Sequence, residues 1–261
     1  MSAQLLSGHN ALVTGGSRGI GRAICVRLAA DGATVALNYQ NNRAAAEEVV
    51  AEIQKDGRKA VALGADVGDQ TDVRNMLSEA SSALGSVDIL VNNAGLLYPG
   101  TLLDFDQSQF EAMWRTNVQG VLNCSAAAAP AMIEAGWGRI INLSSNAAVG
   151  TSMPGTTLYA ATKGAVLSLT KRFALELGGD GITANAVLPG FTKTDMTSAG
   201  KNEAEMDQVI EKLSAMSMLE RTGVPDDIAN VVAFLASDES SFMTGQFLLA
   251  DGGRKDYLAQ T

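Results

Sequence analysis

Ala11 to Thr14 is a short apolar run that enters Gly15-Gly16-Ser17-Arg18-Gly19-Ile20-Gly21, after which Ile24, Leu28 and Ala29 recur at helical spacing. The pattern is strand, glycine loop, helix. Glycines let the backbone approach a pyrophosphate closely, and the free N–H groups of the following helix bind the anion. The spacing, G-x3-G-x-G, departs from the commoner G-x-G-x-x-G, and a glycine turn with no ligand would read the same way on this stretch alone.

Strands and helices then alternate. Strands are predicted at Thr34 to Asn38, Ala60 to Gly64, Val87 to Val91, Arg139 to Leu143, Ile182 to Leu188 and Gln246 to Ala250. Helices are predicted at Ala44 to Asp56, Asp72 to Leu84, Phe110 to Ile133 as one long stretch, Gly155 to Gly178 and Pro225 to Ala236, the last opened by Pro-Asp-Asp. This is an α/β chain: a Rossmann-type doubly wound parallel sheet of about seven strands with helices on both faces. Five prolines and no low-complexity tract leave no linker in 261 residues, which predicts one domain over 1–261.

The net charge of −9 argues against nucleic acid or an anionic membrane surface as partner. No apolar run approaches the ~18 residues that span a bilayer, and Met1 to Asn10 lacks a signal-peptide pattern, so a cytoplasmic setting is expected. Cys25 and Cys124 fall inside apolar helical patterns and read as buried thiols, so no metal is expected. His9 is the single histidine, ahead of the first strand, and is expected to be structural; histidine triads and clusters are excluded.

Chemistry gathers at the predicted carboxyl ends of the strands. Tyr159 and Lys163 lie four apart, one helical turn on one face, where an ammonium would lower the phenol's ordinary pKa of ~10. Such a tyrosine can pass a proton to or from a carbonyl oxygen. A lone Tyr-x3-Lys is more often an ordinary helix face. Ser144 and Ser145 end the fifth strand, and Asn92-Asn93-Ala94-Gly95 follows the fourth, small enough not to block a ligand. Asn117 is polar on an apolar helix, as a satisfied buried amide would be. Asp66-Val67 after the third strand suits either an adenine contact or a turn cap. At the end of the second strand an acid would accept from a ribose 2′-hydroxyl. Here Asn38-Tyr39 stands there with Arg18 in the glycine loop, which predicts NADP(H) and predicts that Asn38→Asp shifts preference toward NADH. Arg43 is either a second phosphate contact or a solvated helix-start residue.

Thr14-Gly15-x3-Gly19-Ile20-Gly21, Asn92-Asn93-Ala94-Gly95, Asn117, Ser145, Tyr159-x3-Lys163 and Pro189-Gly190 occur in this order, and from about residue 8 to Gly253 the chain resembles the short-chain dehydrogenase/reductase family. Within it the sequence looks most like 3-oxoacyl-thioester reductases and relatives that reduce assorted ketones. The resemblance implies that Tyr159 is the acid in reduction, Ser145 holds the substrate oxygen, Lys163 binds the nicotinamide ribose while acidifying Tyr159, and Asn117 holds a water in a proton relay. It implies a cofactor site at Gly15, Ser17, Arg18, Gly19, Ile20, Gly21, Asn38, Tyr39, Asp66, Val67, Asn93, Ala94, Gly95, Pro189, Gly190, Thr192 and Thr194. The family places its serine thirteen positions before the tyrosine; Ser145 is fourteen before, read as a one-residue longer loop, with Ser144 as the weaker candidate.

The resemblance also implies a substrate lid over residues 191–220, where Met206, Ile210, Leu213 and Met216 recur at helical spacing, and a homotetramer built on the last helix and strand. The tail from Arg254 to Thr261 would cross into a partner subunit or fray. Leu97, Tyr98, Asn146, Met153 and Met196 are the pocket candidates. An acyl carrier protein partner is disfavoured, because Gly136-Trp137 and Gly179-Asp180 stand where related carrier-protein reductases often have basic residues. The expected reaction is NADPH-dependent reduction of a small or CoA-linked ketone. The alternatives are oxidation of a sugar, polyol or other secondary alcohol, and a non-catalytic dinucleotide-binding protein.

Overall fold

In the computed structural model, which describes residues 4–198, 200 and 202–256, seven strands form one sheet. They are β1 (Asn10–Val13), β2 (Thr34–Tyr39), β3 (Ala60–Gly64), β4 (Ile89–Asn92), β5 (Gly138–Leu143), β6 (Ile182–Pro189) and β7 (Phe247–Ala250). Their order is β3-β2-β1-β4-β5-β6-β7 and every pairing is parallel. The helices are α1 (Gly19–Ala30), α2 (Arg43–Lys55), α3 (Gln70–Leu84), α4 (Gln107–Trp114), α5 (Gly120–Ala135), α6 (Thr157–Leu177), α7 (Asp195–Ser198), α8 (Glu203–Ala215) and α9 (Pro225–Ala236).

Side chains alternate across the sheet, and each face has its own core. Ala11 and Val13 of β1, Ile89 and Val91 of β4 and Ile141 and Leu143 of β5 pack with Ile24 and Leu28 of α1 and Ile228 and Val232 of α9. Leu12, Leu90 and Ile140, one step along the same strands, point the other way and meet Val73 and Met76 of α3 and Cys124 and Met132 of α5. Strands buried on both faces explain the near-continuous apolar runs in the sequence.

The long predicted helix over Phe110 to Ile133 has a fault in it. Between α4 and α5, residues Arg115–Gln119 form a π-turn, one residue wider than an α turn, and Asn117 lies at its centre. The capping of α1 also differs from that of α2, α3 and α4. Asn42, Asp69 and Asp106 cap α2, α3 and α4 with their side chains, whereas Arg18 gives α1 no side-chain cap. The end of α1 that faces the glycine loop keeps its positive field and open N–H groups.

β1 is flanked by β2 and β4, so the chain reverses its direction of winding between them. The crevice at their carboxyl ends is where such sheets bind ligands.

Candidate active site

That crevice is a cleft of about 460 Å³. Its floor is the junction of the β1 and β4 loops. Thr14 Oγ1 accepts from the N–H groups of Asn93 and Ala94, both at 3.0 Å, and Asn93 Nδ2 donates to the carbonyls of Thr14 at 2.9 Å and Gly15 at 3.0 Å. The packing is close enough that only glycine fits at position 21. A Cβ there would lie 2.1 Å from the Gly15 carbonyl oxygen and 2.6 Å from Asn93 Nδ2. The result is a smooth backbone cradle opening on the uncapped end of α1, and its donors suit the pyrophosphate of a dinucleotide.

All the residues expected at the dinucleotide site line this cleft, from Gly15 through Thr194, as do Ser145, Asn146, Leu97, Met153, Tyr159 and Lys163. Tyr98 does not; its N–H meets Met113 Sδ at 3.3 Å behind the wall. The side chain of Met196 lies outside the described residues. Thr151, Thr156 and Arg254 also line the cleft, although nothing in their local sequence singles them out.

Asn38 corrects a sequence expectation. It is buried, and its amide is fully engaged inside the protein: Oδ1 accepts from Gly15 N at 3.2 Å, and Nδ2 donates to the carbonyls of Ala65 at 3.0 Å and Tyr39 at 3.2 Å. The amide ties three strand ends together and is not turned toward a ribose. Tyr39, half-buried at the rim, and Arg18, whose exposed side chain has no hydrogen-bond partner among the described residues, occupy that place instead. Arg43 is exposed and paired with Glu47 at 2.7 Å, the solvated reading of that residue. Asp66 takes the turn-cap role, with one oxygen accepting from Gly68 N (2.8 Å) and the other paired with Arg115 (2.8 Å), and the residue borders the cleft.

At the other end stand Ser145, Tyr159 and Lys163. α6 puts Tyr159 and Lys163 one turn apart, with Lys163 Nζ 5.8 Å from the centroid of the tyrosine ring. Lys163 is buried and donates to the Leu143 carbonyl at 2.8 Å. Burial lowers its ammonium to about 8. Burial pushes Tyr159 up to about 12, and the opposing influence comes from the Ser145 hydroxyl, not from Lys163. At that value or the ordinary one, Tyr159 is protonated at neutral pH and equipped to donate.

The two serines differ clearly. Ser144 Oγ donates to the Lys163 carbonyl at 2.9 Å and so helps to seat α6, while the Ser145 hydroxyl lies beside the phenol. Asn117 is fully buried; Oδ1 accepts from Leu96 N at 2.7 Å, and Nδ2 donates to Leu96 O at 2.9 Å and Thr162 Oγ1 at 3.0 Å. Its amide is a satisfied one that locks the β4 loop to α6.

A parallel sheet with a phosphate cradle at its reversal point and a protonated phenol beside a buried lysine defines a dinucleotide-dependent oxidoreductase. The comparisons with known proteins narrow this. A family model described as enoyl-(acyl carrier protein) reductase matches residues 15–255. A 3-oxoacyl-[acyl-carrier-protein] reductase of Staphylococcus aureus is 45% identical over 245 residues, covering 94% of this chain and 97% of that protein. Among solved structures, a short-chain dehydrogenase/reductase from Serratia marcescens superposes with a TM-score of 0.88 at 37% identity, covering 95% of this chain and 98% of that one. A short-chain dehydrogenase from Burkholderia cenocepacia in complex with NADP superposes with a TM-score of 0.86 at 41% identity, with the same coverage. The chain belongs to the short-chain dehydrogenase/reductase family.

Proposed function

We propose that the protein reduces a ketone, 3-oxoacyl-type or another small carbonyl, to a secondary alcohol with NADP(H), and that Tyr159 gives the proton. The observation that carries this is the Ser145–Tyr159 pair at the cleft end, two hydroxyls side by side with the phenol held in its protonated form. The cofactor supplies the hydride. As charge builds on the carbonyl oxygen, both hydroxyls are positioned to stabilise it, and Tyr159 transfers its proton there. Lys163, buried beneath, orients what binds above it through its two remaining donors. A water-holding role for Asn117 falls to its main chain in the π-turn or to the second lone pair of Oδ1, since both amide N–H groups are engaged.

NADP(H) is favoured over NAD(H) because Tyr39-Gln40-Asn41-Asn42 brings no carboxylate to the ribose end and Arg18 brings a cation. The relative bound to NADP at 41% identity supports the same choice. The 45% identical relative is named for a carrier-protein substrate, yet near the starts of β5 and β6 Arg139 is buried against Asp238 and Asp180 is an exposed acid, which disfavours a carrier-protein dock at those two places. A free or CoA-linked ketone is the substrate we favour. We read 1–261 as one catalytic unit with residues 191–220 as its lid. Leu175, Phe242 and Leu249, all well exposed on or near α6 and β7, support assembly into a homotetramer.

The test is Tyr159→Phe. Loss of turnover by about 10²- to 10⁴-fold is expected with the NADPH dissociation constant unchanged. Retained turnover would show that another group donates the proton.

A further inference from the structure

The substrate end of the cleft holds more hydrogen-bond donors than one carbonyl oxygen needs. Asn146 Nδ2 is sealed from solvent with no hydrogen-bond partner. Arg254 follows the last strand, yet it lines the same cleft with its side chain only 4% exposed. Its Nε and Nη2 each donate at 2.6 Å to the two oxygens of Asp256, which also accepts from Ser152 Oγ at 2.6 Å. The hydrogen bonds of the guanidinium run through Nε and Nη2, and Nη1 has no hydrogen-bond partner among the described residues.

The backbone holds this guanidinium in place. Ser152 N donates to Asp256 O at 3.2 Å, Met218 N to Gly253 O at 2.9 Å and Lys255 N to Met216 O at 2.9 Å. The segment after β7 is thereby fastened to the loop before α6 on one side and to the residues after α8 on the other. A planar guanidinium with two nitrogens clamped presents the third in a fixed direction.

We propose that Arg254 is a specificity-determining residue whose Nη1 donates to a second, uncharged acceptor oxygen of the substrate: the carbonyl of an ester, thioester or amide beyond the ketone held at Tyr159. This rests on reading the cleft as that of a ketone reductase. The choice of an uncharged acceptor follows from Asp256. With both carboxylate oxygens on the guanidinium, a substrate carboxylate would meet a pair of zero net charge, in a protein whose formal charge is −9. A carbonyl oxygen needs only the N–H.

The experiment uses the full chain and compares ethyl 3-oxobutanoate, 3-oxobutanoate and 2-hexanone. For Arg254→Met, kcat/KM on the ester is expected to fall about ten- to hundredfold, mainly through KM, as for loss of a charged donor. Activity on 2-hexanone stays within about twofold, the NADPH dissociation constant is unchanged, and the wild type prefers the ester to the free acid. Equal losses on ester and simple ketone, no loss on the ester, or a wild-type preference for the acid would each overturn the proposal. Calorimetric binding of ethyl 3-hydroxybutanoate against 2-hexanol separates this proposal from the reaction itself. If no ketone is turned over but Arg254→Met weakens only the ester, the ketone-reductase reading fails and the assignment of Arg254 stands. If Arg254→Met does not fold, Arg254→Lys is read by the same ester-against-alcohol contrast, since a single ammonium cannot hold both Asp256 oxygens and reach a third.

Discussion

Asn38→Asp distinguishes a residue that reads the ribose from one that ties strands together. The amide Nδ2 lies 3.0 Å from the Ala65 carbonyl and 3.2 Å from that of Tyr39, with Leu63 O at 3.4 Å, and the residue is 2% exposed. An aspartate keeps the acceptor for Gly15 N but sets a second oxygen against those carbonyls. Two good buried hydrogen bonds are lost and their acceptors left bare, at about 1–3 kcal/mol each, and an uncompensated buried carboxylate adds to this. A total of about 3–5 kcal/mol follows at neutral pH, a urea midpoint lower by roughly 1 M or more. The sign of the pH dependence adds a check. Burial would raise the new carboxyl above its unfolded value of ~3.9, so the unfolded chain ionises first and stability is lost as pH rises from there. The variant should be least impaired near pH 5 and most at pH 8, read by urea titration at fixed protein concentration. A variant of wild-type stability that merely prefers NADH would refute this account of Asn38. Tyr39→Asp is the companion, expected to shift kcat/KM toward NADH because its side chain stands at the rim.

Gly21→Ala should destabilise the protein and abolish dinucleotide binding, because the clash at 2.1 Å is with a backbone carbonyl that cannot swing away; native urea midpoints and NADPH affinity would contradict it. Lys163 predicts a stability gain on the alkaline side. Its ammonium is lowered to about 8 in the fold from an ordinary 10.5, so between those values the unfolded chain binds the extra proton and raising pH favours the native state. Between pH 8 and 10 the wild type should gain stability relative to Lys163→Met, and parallel pH profiles for the two would refute it.

Most of the architecture was legible because strands buried on both faces leave uninterrupted apolar runs and glycine punctuates the turn at β1. The cofactor cradle was legible for the same reason: steric demand on the backbone is written directly as glycine. Asn38 was misread because its identity fits two environments, and only the β3 carbonyls, some 25 residues away, decide between them. For Tyr159, spacing shows a neighbouring charge but not how far both groups are withdrawn from water. Ser145 could be separated from Ser144 only once Ser144 was seen bonded to the Lys163 carbonyl. Arg254 gave no signal at all, as its neighbours at Ser152 and Met218 are remote in sequence.

The π-turn at Arg115–Gln119 sets the rotational phase of α5. Each residue of an α-helix advances the chain by roughly 100°, so the surplus residue re-aims all of α5 about its axis relative to α4. Wound as a plain α-helix with every residue kept, the stretch would swing Cys124, Ala128 and Met132 away from the sheet they cover, whereas excising one amino acid would close the π-turn to an α turn and leave those three facing it.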